Sequence, residues 1–202
     1  MSLPFSFTRP SNPSIQALLD RRDAPLTYDG VGLSRDGLAP AGYAVNARRA
    51  VIGRGERDFE AACAAVRRWE MFGFGWVDLC WPDAPIEDGA TVAVLAHRLG
   101  LWSLNPCRVV YTIDDQQGAL RRFGLGYGTL PEHVMRGEER FMVTWNHETG
   151  EVVYSIHAFA RASSPLIALI RPALTLFQRQ FARASMQAMA RAVRAGDPTG
   201  TV

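Results

Sequence analysis

Between residues 74 and 162 the chain repeats one pattern: a short run of β-branched and aromatic residues, then a turn signal. GWVDLCW ends at Pro82, TVAVLAHRL at Gly100, CRVVYTI at DDQQG, LRRFGLGYGTL at Pro131, EERFMVTW at NHETG and EVVYSIHAFA at RASS. Such runs, bounded by Gly, Pro, Asn and Asp, predict strands joined by tight turns. Six in succession predict an antiparallel meander. Upstream, YAVNARRAVIG alternates Tyr43, Val45 and Ala47 with polar neighbours and predicts a further strand. Helical spacing appears three times. SNPSIQALLDRRD offers Asn12 as N-cap and Pro13 as first helical residue of a helix over 13–22. ERDFEAACAAVRRWEMF places Phe59, Cys63, Val66 and Trp69 on one face. Ser164 and Pro165 open a long helix to about Ala195, where Gly196 and Pro198 stop it, and Pro172 predicts a kink or restart. Its apolar face is Leu166, Ile170, Ala173, Phe177, Phe181, Ala184 and Ala188; Arg179, Arg183, Gln187, Arg191 and Arg194 form another.

This order predicts an α+β fold: a curved antiparallel sheet of about seven strands wrapped around the long C-terminal helix, which covers the sheet's apolar face. Where helix and sheet diverge, a concave apolar space is expected. The organisation expected is a single domain over 1–202: an N-terminal helix and Gly/Pro-marked connector over 1–42, a core over 43–195, and a flexible tail over 196–202.

A length of 202 residues fits one domain, and 48% hydrophobic residues suffice for a sizeable core. The net charge of +2 with 21% charged residues indicates no nucleic-acid binder and no disordered acidic tail. All 22 basic residues are arginine, which excludes Schiff-base or lysine-base chemistry. Cys63, Cys80 and Cys107 form no C-x-x-C pair and read as reduced thiols. MSLPFSFTRP does not resemble a secretory signal, and the apolar run PLIALIRPALTLF is broken by Arg171 and Pro172. The expectation is a soluble cytoplasmic protein with no transmembrane segment, no metal and no cofactor; the oligomeric state stays open.

Glycines 124, 126 and 128 are spaced by two and lead into Pro131, so they are not the helix-opening G-x-G-x-x-G of a dinucleotide site. They leave one strand face bare while Phe123, Leu125, Tyr127 and Thr129 fill the other. Curvature or helix packing is one reading of the bare face, close approach of a ligand the other. IGRGERDFE does stand between a strand and a helix, but Glu56 and Asp58 would repel a phosphate there, so it reads as a capped helix start. Downstream of the glycines, His133, Arg136, Glu138 and Glu139 lie close together. Glu139 shares a strand face with Phe141, Val143 and Trp145, and Glu138 with Arg140, Met142 and Thr144. One glutamate is therefore expected to point into the apolar space, where, unless paired with His133 or an arginine, its pKa would rise and it would serve as acid or base. The alternative is a solvated hairpin with an exposed ion pair. His157 reads as a core or outer-face residue, and His97 and His147 lack ligand spacing. No H-E-x-x-H or G-x-S-x-G occurs. The strand aromatics Trp76, Trp81, Trp102, Tyr111, Tyr127 and Trp145 read as core or pocket wall. The arginine row of the last helix reads as a solvated face or a contact with anionic surfaces.

GYGTLPEHVMRGEERF, PCRVVYTID, SIHAFARASSPL and LAPAGYAVNARRAVIGRGERDF together resemble the uncharacterised protein family 0548, over about residues 26–192. AFARAS stands where that resemblance leads one to expect AFSRP. The family is distantly similar to START-like, birch-pollen-allergen-like helix-grip proteins, which implies a helix-grip (START-like) fold. The function expected is a binding module for a small hydrophobic or amphipathic molecule, held in a hydrophobic cavity walled by Tyr127, Thr129, His133, Glu138, Glu139 and Trp145. The alternative is a cyclase, isomerase or hydrolase with Glu138 or Glu139 as base and His133 as acid or orienter.

Overall fold

The computed structural model describes residues 5–21 and 23–196. Its strands are β1 (Ala44–Arg54), β2 (Val77–Cys80), β3 (Thr91–Arg98), β4 (Leu101–Gln117), β5 (Leu120–Thr129), β6 (Met135–Asn146) and β7 (Glu151–Ala162). They pair antiparallel in one seven-stranded sheet, in the order β1-β7-β6-β5-β4-β3-β2. The six-strand meander is present, and β1 closes onto the last strand rather than the next.

β4 begins at Leu101 instead of Cys107. Pro106 reads as a strand terminator, yet β5 joins β4 only from Cys107, opposite Thr129. Pro106 thus pairs with β3 on one side and lies just past the end of β5 on the other, where its carbonyl accepts from the Leu130 N–H at 3.1 Å, a ladder end where proline is tolerated. In β1 the face is the reverse of the one expected. Asn46, Ala50 and Ile52 are the more buried positions, while Val45 and Val51 are each 54% exposed. Small apolar and polar residues alternate in both phases of this edge strand, so the pattern does not fix its phase.

The helices are α1 (Asn12–Leu19), α2 (Gly55–Arg67), α3 (Pro165–Leu169) and α4 (Arg171–Ala195). Ser11, not Asn12, caps α1 by accepting from the Ser14 N–H, and the helix ends before the expected residue 22. In α2, Asp58 reaches back to accept from the Arg54 N–H at 2.7 Å, the capped start expected there. Trp69 lies beyond the helix, at φ 56, but is buried. Ser164 caps α3 through the Ile167 N–H, and Pro172 restarts the helix as α4 after a break at Ile170. Apart from Gly196, the expected tail lies outside the described residues. Among the described residues no helix is long and apolar enough to cross a membrane.

On the concave face Phe123, Leu125, Tyr127, Phe141, Val143, Tyr154 and Ile156 form one core with α2 and with Phe181, Ala182, Met189 and Val193 of α4. Each fully buried side chain of this size contributes roughly 1.5–3 kcal/mol. The Tyr154 hydroxyl meets Ser185 Oγ at 2.9 Å and pins α4 to the sheet. That grip holds from Phe181 onward. Leu166, Leu169, Ile170 and Leu176 are exposed, so the expected apolar face of the helix is buried only in its C-terminal part.

Candidate functional site

Adjacent residues in a strand point to opposite faces, and β6 uses this to separate two glutamates. Glu138 pairs with Gly128 and Glu139 with Tyr127. On the convex face the segment over 23–42 is a strap laid across the sheet, with a 3-10 turn at Leu33–Asp36. Glu138, 2% exposed, holds it. Its Oε2 accepts from the Tyr28 hydroxyl and the Gly32 N–H, both at 2.7 Å, and its Oε1 accepts from the Ser34 N–H at 3.0 Å and Ser34 Oγ at 2.6 Å. With its proton turned to Glu138, Ser34 Oγ accepts from the Tyr111 hydroxyl at 2.6 Å. Burial, with Glu138 as the bonded neighbour, pushes the Tyr28 phenol well above the usual range, so it stays a donor.

The bare glycine face belongs to this strap. A Cβ on Gly126 would overlap the Tyr111 ring, and one on Gly128 the Tyr28 ring. At Gly124 it would overlap the Phe141 carbonyl of β6, a backbone approach that marks sharp bending. Curvature therefore accounts for Gly124, and tyrosine rings account for the other two. The helix lies on the opposite face, so neither helix packing nor ligand approach explains this strip.

On the concave face a cavity of about 850 Å³ opens between the sheet, α3 and the first half of α4. Leu166, Ile170, Leu174 and Phe177 line its helical side. Arg98 of β3, stacked over Trp76 at 4.7 Å, hydrogen-bonds Gln180 of α4 and bridges sheet and helix at its border. Tyr127, Thr129, His133 and Glu139 border the space. The Tyr127 hydroxyl donates to Glu139 Oε2 at 2.8 Å. Removal from water pushes the Glu139 carboxyl up to about 7, against the Tyr127 bond, which lowers it. Thr129 Oγ1 is already engaged by the Thr27 hydroxyl at 2.7 Å and the Gly137 N–H at 3.0 Å.

His133 accepts the Met135 N–H on Nδ1 at 2.9 Å, and burial pushes its pKa down to about 4. It stands as a neutral ring with its hydrogen on Nε2. No hydrogen bond joins it to either glutamate among the described residues. Met135 to Glu139 alone spans roughly 13 Å of extended strand. The expected histidine–glutamate pair is therefore not assembled. Of the remaining wall assignments, one holds in part and one differs. Glu138 borders the cavity, but its carboxylate is committed to the strap. Trp145 lies away from the cavity, against Phe59 at 6.0 Å and His147 at 4.0 Å, because it is the β6 position covered by α2. His157, 6% exposed, is an outer-face residue in register with Arg140. Among the described residues no group of His, Cys, Asp and Glu could hold a metal ion.

Asn46 and Asn105 border the same cavity and were not expected there. Tyr28 and Ser34 were hidden in a segment that reads as connector. A sheet with Tyr111, Ile113 and Phe159 on its second face needs a second cover, and that was the available signal.

The chain matches the family described as Domain of unknown function (DUF1990) over residues 27–188. The UPF0548 protein of Dictyostelium discoideum is 32% identical over 206 residues, covering 94% of this chain and 95% of its own. That of Deinococcus radiodurans is 35% identical over 198 residues, covering 91% and 96%. Among solved structures, TTHA0849 from Thermus thermophilus aligns with a TM-score of 0.49 at 14% identity, over 77% of this chain and 99% of that one.

Proposed function

The chain belongs to the DUF1990 family, and on that footing we propose that it is a binding module for a small apolar or amphipathic molecule. The ligand lies between the concave face of the sheet and the α3–α4 segment. The observation carrying this reading is the cavity of about 850 Å³, within the range of about 300–1,000 Å³ in which small-molecule sites fall. Polar groups, Tyr127, Glu139 and His133 among them, sit on largely apolar walls, the composition that fixes a ligand's orientation. The exposed Leu166, Ile170 and Leu176, which line the cavity, support the reading, since a bound molecule would cover apolar surface that the sheet does not. Native mass spectrometry and thermal-shift measurements against neutral lipids, isoprenoids and aromatic metabolites test it. A ligand at 100 times its Kd stabilises by about 2.7 kcal/mol. If the whole panel leaves both mass and unfolding temperature unchanged, the proposal fails.

One observation favours a second reading, catalysis. A carboxyl that titrates near neutrality, 2.8 Å from a tyrosine hydroxyl in an apolar space, is suited to general acid–base work. In that reading Glu139 is the acid–base residue, Glu138 is a strap anchor, and neutral His133 is an orienting donor. Glu139→Gln would abolish turnover of an identified substrate; retained turnover would remove this reading.

A further inference from the structure

Glu139 places one carboxyl oxygen under Tyr127 and leaves the other, Oε1, without a hydrogen-bond partner among the described residues, at the cavity wall. An apolar cavity with a single free acidic oxygen is not neutral toward a ligand's head group. The groups that act on Glu139 are all uncharged at neutral pH. Tyr127 from β5 donates to it, and Cys107 from β4 and Tyr154 from β7 are held far above their usual pKa by burial. His133, further along the same wall, is neutral as well. Arg98, a cation at the border, is committed to Gln180 and to the Trp76 ring. No cation is among the groups that perturb Glu139, whose two influences are burial and the Tyr127 bond.

A carboxylate head at the Glu139 end of the wall would therefore face the acid with no cation among the groups acting there, Arg98 standing at the border on β3, in a medium that strengthens repulsion. An ammonium head would place its donors on the free oxygen and make a charge-assisted hydrogen bond. We propose that the cavity selects amphipathic molecules bearing a protonated amine over carboxylates with the same apolar body, with Glu139 as the residue that sets the choice. The inference rests on the reading of this cavity as a ligand site. Because an aliphatic amine stays protonated below about pH 10, amine binding tightens as Glu139 ionises, while carboxylate binding weakens over the same interval.

The test is calorimetric titration of the full chain with decylamine, decanol and decanoate at about pH 6 and about pH 8, below the onset of micelles. At the higher pH decylamine is expected to bind at least about tenfold more tightly than decanoate, with decanol between. Glu139→Gln, close in shape, should bring the three within about threefold of one another, with wild-type circular dichroism showing that the variant is folded. Equal affinities in the wild-type chain, or an amine preference that survives Glu139→Gln, overturn the selectivity and leave the binding module standing. If none of the three binds the wild-type chain, the binding reading fails and this inference with it.

Discussion

Replacing Glu138 by glutamine tests the strap one atom at a time. The carboxylate receives two donors on each oxygen: the Tyr28 hydroxyl and Gly32 N–H on one, the Ser34 hydroxyl and Ser34 N–H on the other. An amide has one acceptor oxygen and presents NH2 in place of the second. Either hydroxyl can rotate and accept, but a backbone N–H cannot. In both orientations of the amide one buried N–H faces another donor, at about 1–3 kcal/mol. The bonds that remain lose charge assistance, about 1 kcal/mol each. Relief from burying a charge offsets part of this, leaving a net loss of about 3 kcal/mol, a large fraction of the roughly 5–15 kcal/mol that stabilises a domain. With a urea m-value of about 2 kcal/mol/M, the unfolding midpoint should fall by about 1.5 M. Hydrogen exchange should show amides of 28–37 losing protection before those of β5 and β6. A stability change below about 0.5 kcal/mol, the size expected of an ordinary surface substitution, would refute the clamp.

Gly128→Ala drives a methyl group into the Tyr28 ring and should cost about 1–3 kcal/mol in thermal unfolding, whereas Gly75→Ala, whose new Cβ meets nothing within 4 Å, should be near neutral; equal effects would contradict the packing of the glycine strip. Two pH dependences of opposite sign are expected. Glu139, raised from 4.5 to about 7, keeps its proton in the folded chain after the unfolded carboxyl has lost its own, so its stabilising contribution falls as pH rises across that interval. His133, lowered from 6.5 to about 4, lets the unfolded chain bind a proton that the folded chain refuses, so stability rises with pH between those values. In urea titrations across pH, Glu139→Gln should remove the falling component and leave a profile that rises to about pH 6.5 and then flattens; a profile parallel to the wild type would contradict the assignment.

The six-strand meander, the Ser164 cap and the Pro172 restart were legible because each depends on local chemistry: turn residues, a hydroxyl before a proline, a missing N–H. The split of the two glutamates was legible as well, since period two places Glu138 and Glu139 on opposite faces whatever the rest of the fold does. Which face carried the cover was not. The pattern shows that Gly126 and Gly128 leave space, but the Tyr111 and Tyr28 rings that occupy it come from strand and strap residues remote in sequence. The same limit hid the distance between His133 and Glu139, which neighbour in sequence but are held apart by an extended chain. Trp145 shares a face with Glu139 yet falls under α2, because a strand of twelve residues outruns a single cavity.

If the space between sheet and α3–α4 is a ligand site, blocking it abolishes binding. Ala158 borders that space opposite Glu139 in the β6–β7 register, so Ala158→Trp would obstruct it beside Glu139. Fluorescence titration with the neutral probe N-phenyl-1-naphthylamine should give one saturable site in the wild-type chain and none in a variant that keeps the wild-type circular dichroism and unfolding temperature. Identical binding by the two chains, or no binding by the wild type, would contradict a ligand site between sheet and helix.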